Sequence, residues 1–170
     1  MAHLYLLRHA KSDWGTGLED HDRPLNGRGR AAASLMGQYL TSTRTVPGLV
    51  LCSTAVRTKQ TLALVLEAAG INPEVRFIPA LYGADVATIL AVVGQEASGH
   101  ATILIVGHNP GFHEAALVLG GAGDAQTLRE IQWKYPTCTF CDIRFETEDL
   151  SAIEPGTGTV ERFVRPKDLA

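Results

Sequence analysis

No run in this 170-residue chain approaches the roughly 18 consecutive apolar residues of a membrane span. The N-terminus reaches Arg8 and Lys11 too early to read as a secretory signal, so a cytoplasmic location is the default expectation. Positive charge is not in excess either. The formal net charge is -3 and no basic stripe runs along the sequence, which argues against a nucleic-acid partner. Repeats, low-complexity tracts and Pro/Gly/Ser-rich linkers are missing, so a single domain over residues 1–170 is expected. Cysteine is scarce: Cys52, Cys138 and Cys141 are the whole set. Cys138 and Cys141 spell Cys-x-x-Cys, but no second pair accompanies them. The surrounding Thr137-Cys138-Thr139-Phe140-Cys141 reads as a strand, where residues three apart face opposite ways. No metal site and no cofactor are expected.

What is present is a well-filled α/β pattern. Apolar residues make up 45% of the chain and charged residues 19%, enough for a core without disulfide staples. Three short apolar runs, Leu4 to Leu7, Leu49 to Cys52 and Ile103 to Val106, lack polar alternation. Such runs suit strands buried on both faces of a largely parallel sheet. Val75 to Ile78 is a weaker fourth. Helical spacing appears between them. Ala31, Ala32, Leu35, Met36, Tyr39 and Leu40 predict one buried face. Val56, Ala63 and Leu66 predict a second helix, closed by Gly70 with Asn72-Pro73 beyond. A third helix follows Asp85 as N-cap, carrying Val86, Ile89, Leu90 and Val93. The fourth is predicted from Asn109-Pro110 to Gly120-Gly121. The alternation gives a three-layer α/β/α domain with a mostly parallel sheet. In the last third, Cys141, Ile143 and Phe145 alternate with Asp142 and Arg144, as in a strand with one wet face. Another strand is expected near Val160 to Val164, with at least one antiparallel edge strand in this region.

The chemistry is concentrated where the buried runs stop. Leu4 to Leu7 leads into Arg8-His9, Leu49 to Cys52 into the helix start carrying Arg57, and Ile103 to Val106 into Gly107-His108. Ligands of open α/β sheets bind beyond the carboxyl ends of the strands. Two guanidinium groups and two imidazoles delivered to one sheet edge make an anion site. An arginine in a first helical turn opposes the helix dipole unless an anion offsets it, and His108 precedes the free N–H groups of a helix start.

Leu6-Leu7-Arg8-His9-Ala10 resembles the Arg-His-Gly signature of the histidine phosphatase superfamily, which includes the cofactor-dependent phosphoglycerate mutases. Asp22-Arg23-Pro24-Leu25-Asn26-Gly27-Arg28-Gly29 is similar to the segment leading into that family's first helix. Ser53 to Thr61 resembles its second arginine motif, and Val106-Gly107-His108-Asn109 its second histidine motif. Ala10 in place of glycine, and the short connection between those last two motifs, resemble the small SixA-like phosphohistidine phosphatases. The resemblance implies a phosphoglycerate mutase-like fold and a metal-independent phosphatase. It implies that His9 attacks phosphorus, with Arg8, Arg57 and His108 holding the phosphate, His108 as a charged donor if protonated. Neighbouring arginines would keep His9 neutral by repulsion. The expected partner is a phosphorylated substrate, a histidine-phosphorylated protein or a small metabolite. Oligomeric state stays open.

No clear general acid is visible in Ala80 to Asp85. A P–N bond releases imidazole more readily than an ester releases alkoxide, so this gap agrees with phosphohistidine. Asp13, Asp20, Asp22 and Asp85 remain the candidate proton donors, none in a recognised motif, with Asp85 also readable as a helix cap and Asp22 as a loop-fixing residue. Lys11 reads as solvated at the rim. A phosphomonoester or sugar-phosphate phosphatase, a mutase, and a phosphate-binding module without turnover are the alternatives.

Overall fold

A computed structural model describes residues 1–170. Seven strands form one sheet: β1 (Ala2–Arg8), β2 (Leu49–Cys52), β3 (Glu74–Phe77), β4 (Thr102–Gly107), β5 (Gly120–Gly123), β6 (Phe140–Phe145) and β7 (Gly158–Val164). Their spatial order is β3-β2-β4-β1-β6-β7-β5. β3, β2, β4 and β1 are mutually parallel, and β6 runs against both β1 and β7. β5 then pairs parallel to β7. β6 is thus the one reversed strand, and it lies inside the sheet. The edge beyond it belongs to β5, whose Gly120-Gly121 reads in sequence only as a helix stop.

Helices α1 (Gly27–Ser42) and α2 (Val56–Ala69) cover one face. Helices α3 (Val86–Glu96), α4 (Gly111–Leu119) and α5 (Ala125–Trp133) cover the other, and a short α6 (Pro166–Leu169) ends the chain beside α1. The strand residues divide between two cores by alternation. Leu4, Leu6, Leu49, Leu51, Ile103 and Ile105 meet α3, α4 and α5, while Leu7, Val50, Cys52, Leu104 and Val106 meet α1 and α2. Burial of both strand faces is the reason these runs carry no polar alternation.

Details differ from the sequence pattern where polar contacts intervene. The buried face of α2 is Arg57, Thr58, Thr61, Leu62, Val65 and Ala69, whereas Ala63 is exposed. Polar residues hold this face because it borders the strand ends. Ala31 of α1 is likewise exposed, with Ala33, Met36 and Leu40 inside. α4 starts at Gly111 rather than Asn109, yet the Asn109 side chain still accepts from the His113 N–H at 3.3 Å. Asp85 caps α3 through the Thr88 N–H at 2.8 Å, and Gly70 ends α2 at φ 67°. β6 has no wet face. Asp142 is buried and bonded to Arg162 at 3.0 Å and His3 at 2.7 Å. Cys138 lies in a turn before β6 with φ 57°, so the strand begins three residues later than the pattern suggests. Cys138 and Cys141 nonetheless sit in opposite cores. Burial pushes the thiols of Cys52 and Cys138 up to about 12.

Candidate active site

Three neighbouring parallel strands end together. Arg8 pairs with Gly107 across β1 and β4, and Cys52 pairs with Val106 across β2 and β4. The ladder continues one residue further, with the His9 N–H donating to the Gly107 carbonyl and the Ser53 N–H to the Val106 carbonyl, both at 3.0 Å. This register places Arg8-His9, Ser53 and His108 side by side. Arg57 joins them from the first turn of α2. The rings of His9 and His108 are 5.4 Å apart, and the charges of Arg8 and Arg57 act on both. His9, His108 and Arg57 are only 8%, 7% and 6% exposed.

The His9 backbone is gripped from both sides, since its carbonyl also accepts from the Cys138 N–H at 3.0 Å. Thr61 of α2 then holds the following residue by accepting from the Ala10 N–H at 2.9 Å. His9 Nδ1 lies 2.7 Å from the Ala10 carbonyl. A carbonyl only accepts, so Nδ1 carries the proton and Nε2 keeps its lone pair. Burial pushes the His9 imidazole down to about 3, with Arg8, His108 and Arg57 adding repulsion. Desolvation is the larger cause, and the arginines, the cause named from sequence, are the lesser. The ring is neutral at neutral pH and has the tautomer of a nucleophile.

His108 is pushed down to about 4, mainly by burial and then by Arg57. It is therefore a neutral donor in the free chain, not the charged one that the motif suggests. Its Nε2 lies 2.7 Å from Ser53 Oγ. A hydroxyl that donates to Nε2 leaves Nδ1 as an N–H, and Nδ1 is buried without a partner. Arg8 and Arg57 each repeat this pattern. Arg8 spends one terminal nitrogen on the Tyr135 carbonyl at 3.0 Å, and Arg57 spends both on Asp20, at 2.7 Å to the carbonyl and 3.0 Å to the carboxylate. In both residues Nε is buried and unpartnered. Leaving a buried donor unmade costs on the order of 1–3 kcal/mol, and three such costs fall within one cluster. An anion accepting from these N–H groups would remove them together. The arginines thus keep less of their paired donor face than their residue type promises.

Asp20 separates itself from the other three acids named in the sequence. Asp13 accepts from the Gly15 N–H, Asp22 lies beside His21 at the surface, and Asp85 caps α3. Asp20 accepts from Tyr82, Arg57 and Arg23. Tyr82 above all, then the two arginines, hold its carboxyl well below the usual carboxylate range. Tyr82 also presents its ring edgewise to His108, at 5.5 Å, and to His21, at 4.8 Å. Ser53, Thr61 and Tyr82 escape notice in the sequence. Ser53 and Thr61 fall inside the second arginine motif, which is the signal that could have raised them; Tyr82 has none.

Comparison with known proteins bears on this arrangement. A family model described as histidine phosphatase superfamily (branch 1) matches residues 4–85. An uncharacterised protein of Mycobacterium tuberculosis (strain H37Rv) is 36% identical over 163 residues, covering 95% of this chain and 100% of the relative. A solved structure of a candidate phosphohistidine phosphatase SixA from Nakamurella multipartitia is 31% identical. It has a TM-score of 0.78 and covers 97% of this chain and 96% of its own. Another, from Agrobacterium tumefaciens and also described as a candidate SixA, is 26% identical with a TM-score of 0.80, covering 97% and 98%.

Proposed function

Since the chain belongs to the histidine phosphatase superfamily and is SixA-like, we propose that it hydrolyses phosphohistidine through a phosphorylated intermediate on His9. The observation that carries the proposal is a buried neutral imidazole, fixed at Nδ1, among three unpartnered buried nitrogens of Arg8, Arg57 and His108. His9 Nε2 forms the bond to phosphorus as the bond to the leaving nitrogen breaks. The leaving imidazole, protonated on its other ring nitrogen, departs neutral. Water then attacks the phosphorylated His9, releasing inorganic phosphate and restoring the lone pair. Arg8, Arg57 and His108 donate to the phosphate oxygens and stabilise the charge that shifts in the transition state.

Asp20 supports the choice of a P–N bond. It is the acid in contact with the cluster, and it is held ionised by Tyr82, Arg57 and Arg23. An ionised carboxylate has no proton to give an alkoxide leaving group. A histidine-phosphorylated substrate has less need of one.

The proposal is tested by mixing the protein with a radiolabelled phosphohistidine peptide and quenching. Label on His9 that is lost in acid and kept in base is expected, and the His9→Ala variant should fold, bind phosphate and release none. A strong preference for phosphoserine over phosphohistidine peptides would reverse the substrate choice. Binding without label and without release would replace the enzyme by a phosphate reader.

A further inference from the structure

Beside the His9 cluster lies a groove of about 400 Å³ whose walls carry five cations and no acid. Lys11 follows the His9-Ala10 turn, Arg28 opens α1, Lys134 stands at the end of α5, and Arg165 and Lys167 come from the C-terminus. A third of the chain's 15 lysines and arginines thus meet in one concavity of a molecule whose net charge is negative. Arg165 is answered by Asp168 at 3.0 Å and Glu130 at 3.5 Å. Lys11, Arg28, Lys134 and Lys167 form no ion pair, and all four are exposed.

Four like charges gathered without counter-ions of their own repel, so the fold gains nothing from gathering them. Its position gives it a use. The groove adjoins the His9 cluster through the 134–138 segment, which also provides the Tyr135 carbonyl that holds Arg8 and the Cys138 N–H that holds His9. Trp133, 74% exposed, forms part of the same wall. An exposed indole among cations is a common anchor for a protein surface, with an apolar face to cover and charged neighbours to match.

We infer that this groove docks an acidic peptide segment flanking the phosphorylated residue of a protein substrate. The inference rests on the phosphohistidine reading for the identity of the phosphorylated residue, but the docking itself needs only charge and shape. Aspartates or glutamates a few residues from the phosphate would meet Lys11, Arg28, Lys134 and Lys167 while the phosphate meets His9. The choice of partner is then made outside the reacting atoms.

The test uses two synthetic phosphohistidine peptides of equal length, one flanked by glutamates and one by glutamines, with p-nitrophenyl phosphate as a substrate too small to reach the groove. The wild-type chain should favour the glutamate peptide in kcat/KM. The Lys134→Glu/Lys167→Glu variant should lose roughly tenfold on that peptide, as removal of several exposed ion pairs predicts, and nothing on p-nitrophenyl phosphate. Raising ionic strength should erase the preference. Equal turnover of the two peptides would overturn the inference, as would an equal loss by the variant on all three substrates. Anisotropy of the labelled, unphosphorylated glutamate peptide reads docking alone. If it binds with lysine dependence but neither phosphohistidine peptide is hydrolysed, docking stands and the phosphohistidine reading falls. If it does not bind while a nucleoside 3′,5′-bisphosphate does, the groove serves small phosphate compounds and docking falls.

Discussion

Acid should unfold this protein through its own site. His9 and His108 are buried neutral, with imidazoles pushed down to about 3 and about 4 from an ordinary 6.5. In the unfolded chain both take up protons as pH drops through about 6.5, while in the folded chain neither does until much lower. The unfolded state therefore binds more protons below about pH 6.5, and stability falls as pH falls. Each group contributes up to about 1.4 kcal/mol per pH unit. Taken from pH 7 to about pH 4.5, the pair costs up to ~5 kcal/mol, the size of a whole domain's stability at the low end. Asp20 does not cloud this interval, because its depressed carboxyl loses its stabilising effect only below the ordinary carboxylate range. Urea denaturation at a series of pH values measures the slope. The His9→Gln/His108→Gln variant, with no imidazole to charge at either position, should show a much flatter one. A wild-type change under about 1 kcal/mol over that interval, or an unchanged slope in the variant, would refute the linkage.

Other outcomes follow from single contacts. Ser53→Ala removes the hydroxyl 2.7 Å from His108 Nε2 and should lower kcat/KM about tenfold or more, on the scale of weakening one oxyanion donor, with the melting temperature changed far less. Asp20→Ala frees the guanidinium of Arg57 and should lower kcat/KM about tenfold, whereas Asp20→Asn, which can still accept from Arg57, should recover part of it in the same assay. Asn26→Ala deletes the side chain that accepts from the Gly29 N–H at 2.9 Å, and should cost about 1 kcal/mol, seen as a melting point about 2–4 °C lower. Gly29→Ala should be far worse. Its new Cβ would lie 2.1 Å from the Lys11 carbonyl, so either α1 or the loop after His9 must move, and circular dichroism with phosphatase assays would register both.

The parallel half of the sheet was readable because burial on two faces leaves an unbroken apolar run. Leu49 to Cys52 is bounded by the same residues in pattern and in structure. The other half was not, for reasons that differ by element. Gly120 to Gly123 offers only the Ala122 methyl to pattern, yet it pairs with β7 through its backbone. Asp142 looks like a solvent-facing residue of β6 and is buried because Arg162 and His3, distant in sequence, neutralise it there. α5 presents mainly Leu128 and Ile131 to the core, too sparse a stripe for periodicity to catch. The strand ends delivering Arg8, His9 and His108 were visible for the same reason as the strands. Ser53 and Tyr82 were not singled out, and Asp20 was only one of four acids named, since their roles depend on which partner the fold sets opposite them. The basic groove could not be seen at all: its cations come from residues 11, 28, 134, 165 and 167.

The reversal of β6 has an architectural effect. Beside β1, chain traffic changes direction, so the rim next to His9 is furnished by polypeptide arriving at the sheet while the nucleophile sits on polypeptide departing from it. Arrivals and departures are separate stretches of sequence, joined at the rim through the Tyr135 carbonyl, the Cys138 amide and the Thr139 carbonyl. Evolution can then rewrite the approach between α5 and β6, and with it the clientele, while the turn that performs the reaction is left untouched.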